Sequence, residues 1–126
     1  MTQKQAQNYR NLELETRVND ASPHQLILML FEGAIERLNQ AKACADRNDL
    51  SGKGVFLGKA LDIVGGLRES LNLDLDSDIP KDLDRLYEYI QIRLLQGNID
   101  SDNSSFDECI NLIKTVKSGW EGIAER

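Results

Sequence analysis

Residues 22–33 read SPHQLILMLFEG, and their reading decides the fold. Ser22 can cap a helix, Pro23 suits the first helical position, and Gln25 completes an S-x-x-Q capping box, so a helix starts here. Leu26 to Phe31 then form an unbroken apolar run. At about 100° per residue such a run sweeps the whole circumference of an α-helix, whereas a surface helix of a small protein needs only one apolar stripe. The principal stripe is Ile27, Leu30, Phe31, Ala34, Leu38, Ala41 and Ala45, spaced by three and four, and the polar run Asp46 to Asp49 ends it. Leu26, Leu28, Met29 and Ile35 lie off that stripe and need something else to face.

Working outward, three more helical patterns follow and very little reads as strand. After Ser51, Phe56, Ala60, Ile63, Leu67 and Ser70 or Leu71 share one face, while Leu57, Leu61 and Val64 make a second stripe about 100° away. The first face predicts Ile63 and Leu67 in the interior, with Leu57 and Val64 nearer the surface. This helix holds Gly52, Gly54, Gly58, Gly65 and Gly66. Glycine costs about 1 kcal/mol against alanine inside a helix, so either tight helix approach or local adaptability for a partner accounts for them. Asp74 to Pro80 reads as a connection. Pro80 restarts a helix carrying Leu83, Leu86, Tyr87, Ile90 and Leu94, with Tyr89, Ile92 and Leu95 off its stripe and Gly97 placed to stop it. In the last pattern Ser105 and Glu108 suggest a second capping box, and Phe106, Cys109, Ile110, Ile113, Val116, Trp120 and Ile123 form the buried stripe. Four helices of roughly 17 to 24 residues with short connections predict an all-α, antiparallel up-down four-helix bundle. Residues 1–20 are polar but carry Tyr9, Leu12, Leu14 and Val18, an arm or short helix able to dock on the bundle domain of residues 21–126.

Composition narrows the function. A chain of 126 residues with 40% hydrophobic and 29% charged residues has the make-up of one soluble domain. Neither a membrane span nor a hydrophobic export signal is legible, which predicts a cytosolic protein. Cys44 and Cys109 lie in apolar helical patterns without CxxC spacing and read as buried reduced thiols. The net charge of −6 argues against nucleic-acid binding, which needs a positive surface.

Catalytic and cofactor constellations fail one after another. His24 is the chain's one histidine and sits in the first helical turn, whereas a phosphotransfer bundle places an exposed histidine in mid-helix. Paired Glu-x-x-His motifs for a di-iron centre are impossible with it. Asp74, Asp76 and Asp78 mimic the opening of a calcium loop, but Ile79 occupies the glycine position and Arg85 the bidentate glutamate position. No cofactor or metal is expected, and no enzyme. From Glu69 to Asp84 six acids stand against Lys81, a local charge of −5 that would repel acidic partners.

What remains is surplus hydrophobicity. Each large apolar side chain left wet forgoes roughly 1.5 to 3 kcal/mol, so Leu26, Met29, Leu57, Leu61, Val64 and Tyr89 belong either to a wide core or to a surface covered by the arm or a partner helix. A self-associating helical scaffold would use the same faces.

Over nearly its whole length the chain resembles the flagellar secretion chaperone family FliS. The resemblance is carried by Asn8-Tyr9 with Val18; by Ala21-Ser22-Pro23 with Leu26 through Ile35 and Leu38; by Lys59-Ala60 with Ile63; by Ser70-Leu71-Asn72; by Leu83, Leu86, Tyr87, Tyr89 and Ile90 with Arg93-Leu94; and by Trp120 and Ile123. Phe31 stands where tyrosine is common, and Gly65-Gly66 replaces a better helix-forming pair. The resemblance implies a cytosolic, non-catalytic four-helix bundle, a monomer or weak homodimer. It would bind the disordered C-terminal segment of flagellin, prevent premature polymerisation and deliver it to the membrane protein of the flagellar export gate. The residues expected to meet that client are Tyr9, Leu12, Val18, Leu26, Met29, Leu57, Leu61, Val64, Leu71, Tyr89 and Arg93. The arm around Tyr9 would act as a lid over one groove.

Overall fold

The structure, a computed structural model, describes residues 18–123. Residues 18–20 are helical, and four long helices follow: α1 (Pro23–Asp46), α2 (Leu50–Glu69), α3 (Asp78–Ile99) and α4 (Ser104–Glu121). The chain is all-helical, an antiparallel up-down bundle in which α1 packs on α2 and α4, and α3 on α2 and α4. No strand occurs among the described residues.

Local chemistry sets each helix start. At α1 the capping box forms as the spacing predicts: Gln25 N–H donates to Ser22 Oγ at 3.2 Å, and Ser22 N–H donates to Gln25 Oε1 at 3.0 Å, with Pro23 in the first turn. Arg47 closes α1, Asn48 turns the chain with φ 58°, and the Asp49 carboxylate takes Gly52 N–H at 3.0 Å to open α2. Ser77 caps α3 three residues before Pro80, accepting from Ile79 N–H at 3.3 Å.

Two expectations at the α3–α4 junction are corrected. Gly97 does not stop α3, which runs on to Ile99; it is a buried helical residue because Ser105 of α4 lies against it. Ser105 does not cap α4. The Asp102 carboxylate takes Ser104 N–H at 3.1 Å and the Ser104 hydroxyl, so Ser105 is free to turn into the interior and Glu108 to pair elsewhere.

The core runs the length of the bundle. Phe31, Ala34, Leu38 and Ala41 of α1 meet Leu57, Ala60, Val64 and Leu67 of α2, with Tyr87, Ile90 and Leu94 of α3 and Phe106, Cys109, Ile110 and Ile113 of α4. The small side chains of Ala34, Ala41 and Ala60 let α1 and α2 approach closely along the densest seam. Cys44 and Cys109 are free and buried, as their patterns predict, and burial pushes the Cys109 thiol up to about 12.

The facing of α2 corrects the sequence reading. Val64 is 0% exposed and Leu57 is buried, while Ile63 is only partly buried. The two apolar lines of α2 flank one interior arc. Ile63 leans onto α1 beside Gly33, Leu61 leans toward α3, and the line Lys53, Leu57, Ala60, Val64, Leu67 points inward between them. Lys53 itself is buried, its ammonium 5.8 Å from the centre of the Phe106 ring.

Candidate functional site

An up-down bundle brings the start of α1, the α2–α3 connection, the start of α3 and the last turn of α4 to one end. There they enclose an apolar cavity of about 590 Å³. Ile27 and Phe31 form one wall, Leu71, Leu75, Ile79, Leu83 and Tyr87 a second, and Val116, Trp120 and Ile123 a third. Burial holds the Tyr87 phenol up at about 12, which marks how dry this end is. Leu75 and Ile79 of this lining are exposed and, with the exposed Leu73, alternate along the chain with the exposed Asp74, Asp76 and Asp78, so the apolar lining borders an acidic stretch.

The third wall is tied to the first by a reciprocal contact. Trp120 Nε1–H donates to the His24 carbonyl at 3.0 Å, and His24 Nε2 lies 2.8 Å from the Trp120 carbonyl. A carbonyl only accepts, so Nε2 carries a proton. The two rings stack with centres 5.0 Å apart and an interplanar angle of 13°.

A second surface lies between α2 and α3. Leu61, Gly65, Gly66, Gln91 and Leu95 line a groove of about 490 Å³, with Asp62 and Glu69 on its edge. Ile92, Leu95 and Ile99 continue it along α3 as an exposed apolar strip, Ile99 at 74%. Arg68 clamps one end of the groove, reaching Asp84 at 2.9 Å, Glu88 at 3.4 Å and the Gln91 amide oxygen at 3.0 Å. Tight packing accounts for Gly52, where an added Cβ would collide with the Asp49 carboxylate and lie 2.8 Å from Cys44 Sγ, but not for Gly54, Gly58 or Gly66, where it would meet nothing within 4 Å.

A third depression of about 510 Å³ on the outer side of α1 is lined by Val18, Leu26, Met29, Leu30 and Gly33 among Glu32, Glu36 and Arg37. Across the bundle, Arg93 joins α3 to α4. It donates to Glu108 at 2.9 Å and to Asp102 at 3.0 Å, and Tyr89 gives its hydroxyl proton to the same Glu108. The Tyr89 hydroxyl first, and Arg93 next, hold the Glu108 carboxyl below its ordinary range.

The residues expected to meet a partner are therefore scattered. Leu71 lies in the end cavity, Val18, Leu26 and Met29 in the α1 depression, and Leu61 in the α2–α3 groove. Tyr89 and Arg93 belong to the α3–α4 polar network. Leu57 and Val64 are core and leave the candidate surface, for the reason given by the facing of α2. Tyr9 and Leu12, and most of the arm of residues 1–20, lie outside the described residues. Sequence reasoning missed Leu75, Ile79 and Ile99. The alternation of leucine with aspartate in residues 71–78 was the available signal, since a purely solvated loop has no use for leucines.

Among the described residues no group of three or more His, Cys, Asp or Glu is placed to hold a metal, and no helix is long and apolar enough to cross a membrane. The arrangement is that of a helical binding module whose chemistry is burial of apolar surface. Residues 5–126 match the family model described as flagellar protein FliS, and the chain belongs to that family. It is 43% identical over 121 residues to the flagellar secretion chaperone FliSB of Pseudomonas aeruginosa, covering 96% of each chain. With the flagellar secretion chaperone FliS of Vibrio cholerae identity is 39%, over 93% of this chain and 86% of the relative. The fold matches a solved structure titled "Crystal structure of flagellar chaperone from bacteria" with a TM-score of 0.73 at 18% identity, over 89% of this chain and 95% of that one. The family is one of flagellar export chaperones, not of enzymes.

Proposed function

We propose that this chaperone binds the disordered C-terminal segment of flagellin in the cytosol, holds it from polymerising and delivers it to the membrane protein of the flagellar export gate. The observation that carries the reading is the amount of large apolar surface a highly charged bundle leaves uncovered, in the end cavity and along Ile92, Leu95 and Ile99. An amphipathic client helix laid on these faces would offset its ordering entropy by burying them. The surface assigned to the client comprises Val18, Leu26, Met29, Leu61, Leu71, Tyr89 and Arg93 with Leu75, Ile79 and Leu95. The arm carrying Tyr9 and Leu12 acts as a lid that the client displaces, and the acidic stretch bordering the cavity favours client segments flanked by lysine or arginine.

Calorimetric titration with a flagellin C-terminal peptide tests this. Binding with a negative heat-capacity change and a raised melting temperature is expected, with no response to a peptide from flagellin's central region. Equal responses to both peptides would reject tail recognition. Concentration-dependent dimers that ignore the tail peptide would favour a self-associating scaffold instead.

A further inference from the structure

The groove between α2 and α3 holds one uncharged polar side chain, Gln91 of α3, and its hydrogen bonding is incomplete. Gln91 Oε1 accepts from Arg68 Nη1 at 3.0 Å, and Nε2 donates to the Leu61 carbonyl at 3.4 Å. A carboxamide has two N–H donors and two acceptor lone pairs, so among the described residues one of each is left without a partner. Gly65 and Gly66 put no side chain over the amide: a Cβ at Gly65 would touch Nε2 at 3.6 Å, and one at Gly66 would meet nothing within 4 Å. Gln91 is only partly buried, so in the free protein the open groove lets solvent meet the spare sites.

The surroundings of Gln91 differ to either side. In one direction Leu61 and Leu95 line the groove, and in the other Arg68 is committed to Asp84 and Glu88. On the α2 bank Asp62 and Glu69 are exposed and, among the described residues, belong to no ion pair. They stand seven residues apart, about two helical turns, with Gly65 between them. Two unpaired carboxylates beside apolar side chains suit a cationic amphipathic helix. A wholly apolar helix face laid on this groove would strip solvent from the Gln91 amide and leave its spare donor and acceptor unmet. We infer that Gln91 fixes the register of the client helix in the α2–α3 groove: the client turns one amide or hydroxyl side chain to Gln91, large aliphatic side chains to Leu61 and Leu95, and lysine or arginine to Asp62 and Glu69. The two cations are then seven residues apart on the client, with the hydrogen-bonding residue three or four from each. A one-turn slip brings an apolar residue onto the amide, in the way that a lone buried polar residue selects register in a coiled coil. This assignment rests on the flagellin-binding function proposed above and adds what the client must present to each part of the groove.

A peptide scan against two forms of the groove tests this. Each amide or hydroxyl residue of the flagellin C-terminal peptide is replaced singly by leucine, and affinities are measured by calorimetric titration. The titrations use the wild-type protein and Gln91→Met, whose side chain is of similar length but apolar. One replacement should weaken wild-type binding by about fivefold or more, and the same replacement should leave binding to Gln91→Met unchanged or tighter. Equal factors in the two proteins at every scanned position would overturn the register role and leave tail binding intact. The Gln91 side-chain amide of the wild-type protein gives a second reading by NMR that needs no variant. Its hydrogen exchange should slow when the unmodified peptide binds, and an unchanged rate would overturn the contact even if Gln91→Met fails to fold. A tail peptide that does not bind the wild-type protein would overturn the chaperone reading, and this assignment with it.

Discussion

Gly97 of α3 and Ser105 of α4 pack backbone to side chain: a methyl group at Gly97 would lie 2.6 Å from Ser105 Cβ and 3.1 Å from the Asp102 carbonyl oxygen. No side chain fits between them. Gly97→Ala should therefore destabilise the bundle by about 1 to 3 kcal/mol through overpacking, in spite of alanine's better helix propensity. The same change at Gly58, where the added methyl meets nothing, should raise stability by about 0.5 to 1 kcal/mol. Urea melts of the two variants check the pair, and a stabilised Gly97→Ala would show that the junction can shift at little cost.

Val64 and Ile63 give a second contrast. An aspartate at Val64 buries an unpaired charge among Leu57, Ala60 and Leu67 and should cost several kcal/mol or force protonation. Ile63→Asp, at the half-buried border with α1, should cost clearly less. Thermal melts by circular dichroism give the order, which reverses if the interior arc of α2 is misplaced.

Acid should act through the α3–α4 junction. The Tyr89 hydroxyl and Arg93 depress Glu108, and the Ser104 hydroxyl followed by Arg93 depresses Asp102. A depressed carboxyl stabilises the fold above its unfolded value, and that stability is lost as pH falls through the folded value. For Glu108 the loss starts at its ordinary value of 4.5 and runs below it. Glu108→Gln should melt lower than wild type at neutral pH and show a shallower decline on acidification. Parallel curves for the two proteins would mean that Glu108 contributes no pH-dependent stability.

On the client surface, Leu95→Asp places a charge on a side chain already 49% exposed, so the melting midpoint should stay near wild type. Binding of the flagellin C-terminal peptide should weaken by about tenfold or more, since the carboxylate is desolvated only in the complex. Unchanged affinity would move the client off the α2–α3 groove.

Much of the architecture was legible because its signals are local. The Ser22-Pro23-Gln25 start needs only its own four residues, and it forms as written. Ser105 and Glu108 match the same pattern, yet Asp102 competes for the first free amide, and a tertiary neighbour at Gly97 draws Ser105 inward. Periodicity could not choose the inner face of α2, since its two apolar lines sit about 100° apart and the neighbours on either side decide between them. The end cavity was least legible: it joins residues near 27, 75, 83 and 120, which only the topology brings together.

The ring order of the helices has a kinetic consequence. Among the described helices three of the main seams, α1–α2, α2–α3 and α3–α4, join neighbours in sequence, and the fourth, α1–α4, must bring distant parts of the chain together. The nearby seams can zip as hairpins with little loop-closure cost, leaving the α1–α4 seam to close the ring. Helical bundles of this kind fold on the order of microseconds to milliseconds, while a ribosome adds ~5–20 residues per second. A newly made copy should thus be folded within about the time its synthesis takes to add one more residue, with the pairing of its first and last helices as the closing event.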